Sequence, residues 1–115
     1  MQAEGDDVAL LWDMRRGAGE AISFVNGLSF DSFAFEPVIV RAVERTLEVV
    51  GEAAGRVSPE FRESHAEIPW RELIDRRDLL AHEYADISVL SLWETVQDEL
   101  PRLIEALDRL LSPEV

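Results

Sequence analysis

Residues 87–111 read ISVLSLWETVQDELPRLIEALDRLL, and this stretch decides the fold class. Its apolar residues recur at alternating steps of three and four positions, at Trp93, Val96, Leu100, Leu103, Leu107 and Leu110. That spacing places them on one face of an α-helix, whereas a half-buried strand would alternate every second position. Pro101 lies inside the segment and is expected to kink the helix, because proline lacks a backbone N–H.

The rest of the chain carries the same periodicity in shorter segments. The predicted helices run from about Asp6 to Asn26, from Glu36 to Val57, from Ser58 to His65 and from Pro69 to His82. Gly27 is the expected stop of the first helix, and Gly51 and Gly55 would permit a close helix approach in the second. Residues 28–35 hold three phenylalanines and are predicted to be a connection pinned by aromatic packing. No strand pattern or repeat competes, so the sequence predicts an all-α, antiparallel helical bundle.

The composition fits one compact domain spanning residues 1–115. The chain has 115 residues and is 47% hydrophobic, as ordinary globular domains are. No apolar run approaches the ~20 residues needed to cross a bilayer. The acidic first residues lack the pattern of a signal peptide. We therefore expect a cytoplasmic protein that does not engage a membrane. Cysteine is absent, which excludes disulfides and thiolate metal sites.

The charge of the chain is strongly acidic. The formal net charge is −13, and every basic residue is an arginine. Such a balance opposes non-specific nucleic-acid binding, which depends on many cationic contacts to phosphate. Contact with RNA would therefore require a local cluster of arginines. The acidic remainder serves solvation, or it complements a basic partner surface.

One arginine interrupts an apolar helix face. If residues 69–84 form a helix, one face carries Trp70, Leu73, Ile74, Leu80 and Ala81. Arg77 lies in the middle of that face, and Tyr84 shares it. A guanidinium on an apolar face is costly unless it is paired or its tip reaches water. Arg77 is therefore either a packing residue or a functional cation. As a packing residue, it would extend its tip to solvent or pair with a buried carboxylate.

A second face of the same helix is polar and ends in a histidine. It carries Arg71, Asp75, Asp78 and His82 at steps of four, three and four residues. A solvated face with ion pairs explains this spacing, but histidine is also the natural acid or base near neutral pH. Arg77 and His82 lie about 140° apart on an ideal helix. They can line one cleft only if the backbone leaves the helix near Ala81, or if a second copy completes the cleft.

The segment that contains these residues resembles a known family. Residues 68–84 read IPWRELIDRRDLLAHEY, and this pattern is similar to the HepT-like branch of the HEPN superfamily. That branch carries an Arg, a polar residue, three further positions and then His-x-Tyr, which here are Arg77, Asp78, His82 and Tyr84. Residues 51–54, which read GEAA, and the segment from Trp93 to Leu103 match the family as well. The resemblance covers nearly the whole chain, although the strong acidity and the lack of lysine depart from typical members.

The resemblance implies a fold, an activity and partners. The fold would be a bundle of four to five helices that forms a homodimer, with a composite active site at the dimer cleft. The activity would be that of an endoribonuclease acting on RNA without a metal or other cofactor, as the toxin of a toxin–antitoxin pair. The antitoxin would be a nucleotidyltransferase of the MNT type, which in this family can adenylylate the motif tyrosine, here Tyr84. The alternative is a non-catalytic HEPN module that binds such a nucleotidyltransferase.

The resemblance also assigns roles to residues. His82 would act as base or acid, and Arg77 would stabilise the charge on the phosphate, because a guanidinium stays charged and binds phosphate through two hydrogen bonds. Asp78 would orient Arg77 or His82. Arg76 and Arg71 would either add phosphate contacts or form ordinary salt bridges. Tyr84 is either the modified residue or a half-buried aromatic.

Overall fold

The computed structural model describes residues 5–82 and 87–112, and all regular structure in these ranges is helical. The helices are α1 (Gly5–Val25), α2 (Phe30–Ala34), α3 (Pro37–Arg56), α4 (Pro59–Ser64), α5 (Trp70–Ala81), α6 (Val89–Glu94) and α7 (Leu100–Leu111). A π-helical turn, Thr95–Glu99, joins α6 to α7. The prediction of an all-α bundle is confirmed. None of the described helices is both long enough and apolar enough to cross a membrane.

The long helices form an antiparallel bundle in which α3 packs between α1 and α5. The start of α1 meets the end of α3, where the buried Asp7 carboxylate accepts hydrogen bonds from the Ser58 N–H (2.9 Å) and Oγ–H (2.7 Å). The middle of α1 contacts α7, where Arg15 pairs with Asp108 at 2.9 Å. Gly27 has a φ of +82°, so it ends the α1 segment in a conformation that glycine adopts without strain.

The phenylalanine-rich segment 28–35 is more ordered than a connection. Residues Phe30–Ala34 form α2, and Ser29 caps it by accepting a hydrogen bond from the Ser32 N–H. Phe33 is fully buried, with its ring 5.4 Å from that of Trp93. Aromatic packing therefore pins this segment as predicted, but it does so through a short helix. Such a helix is too short to show a periodicity in the sequence.

The last helix accommodates Pro101 through a local widening of the backbone. The Leu100 N–H bonds to the Thr95 carbonyl, five residues back, so the turn before Pro101 is a π-helical one. A proline inside a helix removes one hydrogen bond and crowds the carbonyl four residues earlier. The wider turn lies where that crowding would occur, and the helix continues to Leu111. The helix begins at Val89, two residues later than predicted, because Ser88 caps it.

Candidate active site

Arg77 lies where α5 crosses α3 at close range. A Cβ added at Gly51 would fall inside van der Waals contact of the Leu73 carbonyl oxygen and of Arg77 Cβ. The two backbones can therefore approach this closely only because Gly51 has no side chain. The apolar face of α5 is buried at Trp70 and Leu73 and half-buried at Ile74 and Leu80, as the periodicity predicted, whereas Ala81 at the end of the helix is exposed. The stem of Arg77 thus packs on α3 at a point set by Gly51.

The guanidinium of Arg77 reaches the surface from this packed stem. Its Nη1 donates to Asp78 Oδ1 at 2.8 Å, and the Arg77 side chain is 39% exposed. The hydrogen bond to Asp78 raises the pKa of Arg77 above its ordinary value, and the charges of Glu52 and Glu48 act in the same direction. The group therefore combines a fixed stem with an exposed tip that stays cationic. This arrangement suits phosphate binding as well as packing, and Asp78 contacts the residue that it was expected to orient.

His82 stands at the end of α5, and the chain leaves the helix there. The last helical residue is Ala81, and His82 has extended backbone angles, with φ −84° and ψ 115°. The departure lies mainly in ψ, so it redirects the chain that follows. The Cα–Cβ bond of His82 is still set by the helical residues that precede it. The departure from the helix therefore does not turn His82 towards Arg77 within one chain.

His82 is exposed and lines a groove of about 390 Å³ between α3 and the end of α5. The groove is formed by Arg41, Glu44, Arg45, Glu48, Leu79, Leu80, His82 and Ile87. Arg77 is not part of this lining, so the two expected catalytic residues do not share one groove. Glu48 lies between this groove and Arg77, because it lines the groove and its charge raises the pKa of Arg77.

The α3 side of this groove was missed by the sequence analysis. Arg41 and Arg45 lie one helical turn apart and are both exposed. The apolar periodicity of α3 indicates which residues enter the core. It does not indicate which neighbouring element the polar residues face, since that depends on how α5 packs. A pair of arginines at i and i+4 is a weak signal in a sequence, because such pairs are common on solvated helices.

The remaining expected site residues lie elsewhere. Arg76 Nη2 pairs with Glu99 Oε2 at 2.7 Å, so its charge links α5 to the π-helical turn before α7. Arg71 lines a different concavity with Arg62 and Trp70 near the start of α5. That position is roughly 16 Å along the helix from His82, at 1.5 Å per residue. Tyr84 lies outside the described residues.

The described residues thus distribute the expected site residues over two places. One place holds the Arg77–Asp78 pair and the other holds His82 with two further arginines. Within residues 5–82 and 87–112, no group of three or more acidic or histidine side chains is placed to hold a metal ion.

Comparison with known proteins identifies relatives over most of the chain. The family model "Ribonuclease HepT-like" matches residues 14–110. A protein of Caldanaerobacter subterraneus subsp. tengcongensis named "Putative RNase" is 41% identical over 93 residues, covering 81% of this chain and 83% of the relative. A "Probable ribonuclease HepT" of Thermococcus cleftensis is 37% identical over 87 residues, covering 76% of this chain and 79% of the relative. No solved structure matches the chain.

Proposed function

This chain belongs to the HepT-like ribonuclease family, and on that premise we propose that it is a metal-independent endoribonuclease that acts as the toxin of a toxin–antitoxin pair. The observation that carries the proposal is the exposed, permanently cationic tip of Arg77 on a stem fixed by Gly51, on the same helix that ends in His82. The relatives named as RNases support the activity, and RNA is the proposed substrate.

The proposed reaction uses the RNA's own 2′-hydroxyl as nucleophile. The 2′-oxygen attacks the adjacent phosphorus, and a base removes its proton. The bond from phosphorus to the 5′-oxygen breaks, and an acid gives that oxygen a proton. The products are a 2′,3′-cyclic phosphate and a 5′-hydroxyl end. His82 serves as base or acid, while Arg77 stabilises the charge on the phosphorane, with Asp78 positioning the guanidinium.

We propose that a homodimer completes the site. Arg77 and His82 lie in separate places on one chain, and a two-fold axis beside α5 would present two of each to one RNA. Exposed apolar side chains beside the groove support self-association, since Leu79 is 55% exposed and Val38, one turn before Arg41, is 78% exposed. In such a dimer, one His82 acts as base and the other as acid.

The direct test measures RNA cleavage in EDTA by the wild type, Arg77→Ala and His82→Ala. We expect cleavage by the wild type, with cyclic phosphate ends, and loss of at least ~100-fold in each variant. His65→Ala and Arg16→Ala are matched controls, because His65 stacks on Phe61 and Arg16 lies on α1. Cleavage that disappears in EDTA, or that survives both substitutions, would contradict the proposal.

The dimeric site has its own test, in which wild type and His82→Ala are co-refolded in varying ratios. If both histidines are needed, activity follows the square of the wild-type fraction. An equal mixture then has about a quarter of the activity of the same total amount of wild-type protein, whereas a mixture of independent chains would have about half. A linear dependence would show that one His82 is enough for each site.

We propose that a nucleotidyltransferase antitoxin neutralises the enzyme by adenylylating Tyr84. The motif places this tyrosine two residues after His82, and an added AMP group would bring a bulky anion close to the catalytic residues. With ATP and the partner enzyme, mass spectrometry should find one AMP group on the wild type and none on Tyr84→Phe. Modification at another residue would overturn this regulatory role.

A non-catalytic binding module is the second candidate, and the net charge of −13 favours it. In that case the purified chain neither cleaves nor binds RNA, yet binds the nucleotidyltransferase tightly. Substitution of Arg77 or His82 would then leave growth of the expressing cells unchanged. Growth arrest that requires both residues excludes this candidate.

A further inference from the structure

The groove beside His82 carries two arginines that the family motif does not contain. Arg41 and Arg45 project from α3, while His82 comes from the end of α5, and all three line the same concavity. Residues at i and i+4 have Cβ atoms ~5–6 Å apart. Two guanidinium groups at this spacing can hold neighbouring phosphates of one strand, because each binds phosphate through two hydrogen bonds.

The charge of the groove differs from that of the whole protein. Two arginines and two glutamates, Glu44 and Glu48, make the lining neutral if His82 is uncharged, whereas the chain carries −13. Within the described residues, Arg41 makes no ion pair. Arg45 pairs with Glu48 at 3.2 Å, and the two side chains are 67% and 23% exposed respectively. Because the guanidinium is open to solvent, the pair is weak and an incoming phosphate can displace the carboxylate.

The size of the groove limits what it can hold. A volume of about 390 Å³ lies at the small end of ligand pockets. It admits one nucleotide unit of a single strand and not a duplex. The apolar Leu79 and Leu80 on the α5 side offer a surface to a sugar or base, opposite the two arginines on the α3 side.

We propose that the α3 face of this groove binds the backbone of single-stranded RNA next to the cleaved phosphate. Arg41 and Arg45 hold the phosphates, and Glu48 competes with phosphate for Arg45. The inference rests on the proposed ribonuclease function and adds to it two substrate-binding residues and one restraining residue that lie outside the motif.

The test is binding of a 2′-O-methyl oligoribonucleotide, which cannot be cleaved because its 2′-oxygen is blocked. Fluorescence anisotropy is measured over a series of KCl concentrations. In Arg41→Gln/Arg45→Gln we expect the slope of log K against log salt to become shallower by about 1.4, since each phosphate contact on a single strand contributes ~0.7. With equal affinities at 1 M salt, this corresponds to roughly 25-fold weaker binding at 0.1 M.

Three further variants keep the test independent of folding. Glu48→Gln should bind several-fold more tightly than the wild type, and damage to the fold cannot produce a gain of this kind. Arg16→Gln/Arg102→Gln makes the same charge change on α1 and α7, and Glu105→Gln removes one acidic group from α7. All three control residues are exposed, and both control proteins should keep the wild-type slope.

The outcomes separate this inference from the proposed function. A wild type that cleaves RNA, together with an Arg41→Gln/Arg45→Gln protein that keeps the wild-type slope, overturns the inference and leaves the ribonuclease standing. The inference is also overturned if the two control proteins change as much as the groove variants. A wild type that neither binds nor cleaves RNA overturns both. Cleavage by the double variant with a raised KM and a nearly unchanged kcat supports the inference, because the two arginines hold substrate without touching the reacting atoms.

Discussion

Substitution of Gly51 by alanine tests whether close packing of α3 on α5 positions Arg77. The new Cβ would fall inside contact distance of the Leu73 carbonyl oxygen and of Arg77 Cβ, and it would lie 3.2 Å from Arg77 Cγ. The first of these is a backbone atom and the second is fixed to the backbone, so neither can rotate away. Helix α5 must therefore move away from α3 or slide along it.

Two opposing effects set the size of the stability change. Alanine improves helix propensity over glycine by about 1 kcal/mol. Overpacking in a fixed interface costs ~1–3 kcal/mol, and rigid contacts of this kind belong to the upper part of that range. The net expectation is a loss of about 1–2 kcal/mol in the free energy of unfolding, which lowers Tm by roughly 4–8 °C per kcal/mol in a small domain.

Gly55→Ala is the matched control for stability, because it makes the same change on the same helix. The nearest atom to its added Cβ is Ile74 Cγ1 at 3.8 Å, an ordinary contact. Helix propensity then dominates, and the variant should be stabilised by up to about 1 kcal/mol. Urea unfolding followed by circular dichroism measures both proteins. If Gly51→Ala is as stable as Gly55→Ala, the packing argument is refuted.

The consequence for activity follows from the movement of α5. A displacement of about 1 Å in a group that stabilises the transition state can cost 100-fold in rate, so RNA cleavage by Gly51→Ala should fall by at least ~10-fold. Gly17→Ala is the control for instability alone, because its Cβ would lie 2.7 Å from Val50 Cγ2, at the interface of α1 with α3. A Gly51→Ala protein that is less stable but cleaves RNA like the wild type would refute the positioning role.

Two further substitutions test contacts that hold the bundle together. Asp7→Ala should lower the free energy of unfolding by roughly 1–3 kcal/mol in urea titrations. The substitution removes the carboxylate that accepts hydrogen bonds from the Ser58 N–H and Oγ–H. An unchanged urea midpoint would contradict this expectation. Arg76→Gln should cost about 1 kcal/mol or less and leave RNA cleavage at the wild-type rate, because Arg76 pairs with Glu99 and the proposed catalytic cation is its neighbour Arg77. Loss of cleavage would instead place Arg76 in the site.

The sequence was sufficient to predict the long helices and most of the face of α5 that packs. Long segments with a period near 3.6 residues define their own buried face, and the structure buries Trp70 and Leu73 accordingly. It also indicated that glycine late in α3 would allow a close helix approach, which occurs at Gly51 but is not required at Gly55. The periodicity and the positions of small residues are local, so the order of residues along one helix determines them.

The features that could not be predicted depend on contacts between elements. Helix α2 forms because Phe33 is buried against Trp93, and its five residues are too few for a periodic signal. The groove beside His82 exists because the end of α5 lies next to Arg41 and Arg45 on α3. No spacing in the chain encodes that proximity. The motif thus proposes which residues carry the chemistry, but it does not indicate which other residues face them.

The acidity of the protein is compatible with an RNA substrate once distance is considered. At physiological salt, charges separated by more than ~8 Å are largely screened, so most of the net charge of −13 does not act on a phosphate in the groove. A phosphate in the groove would lie next to two arginines, two glutamates and His82. As salt is lowered, the screening length grows and the distant carboxylates begin to repel the strand. Repulsion then offsets part of the gain from the arginines, so the dependence of affinity on salt should flatten at low ionic strength instead of rising without limit.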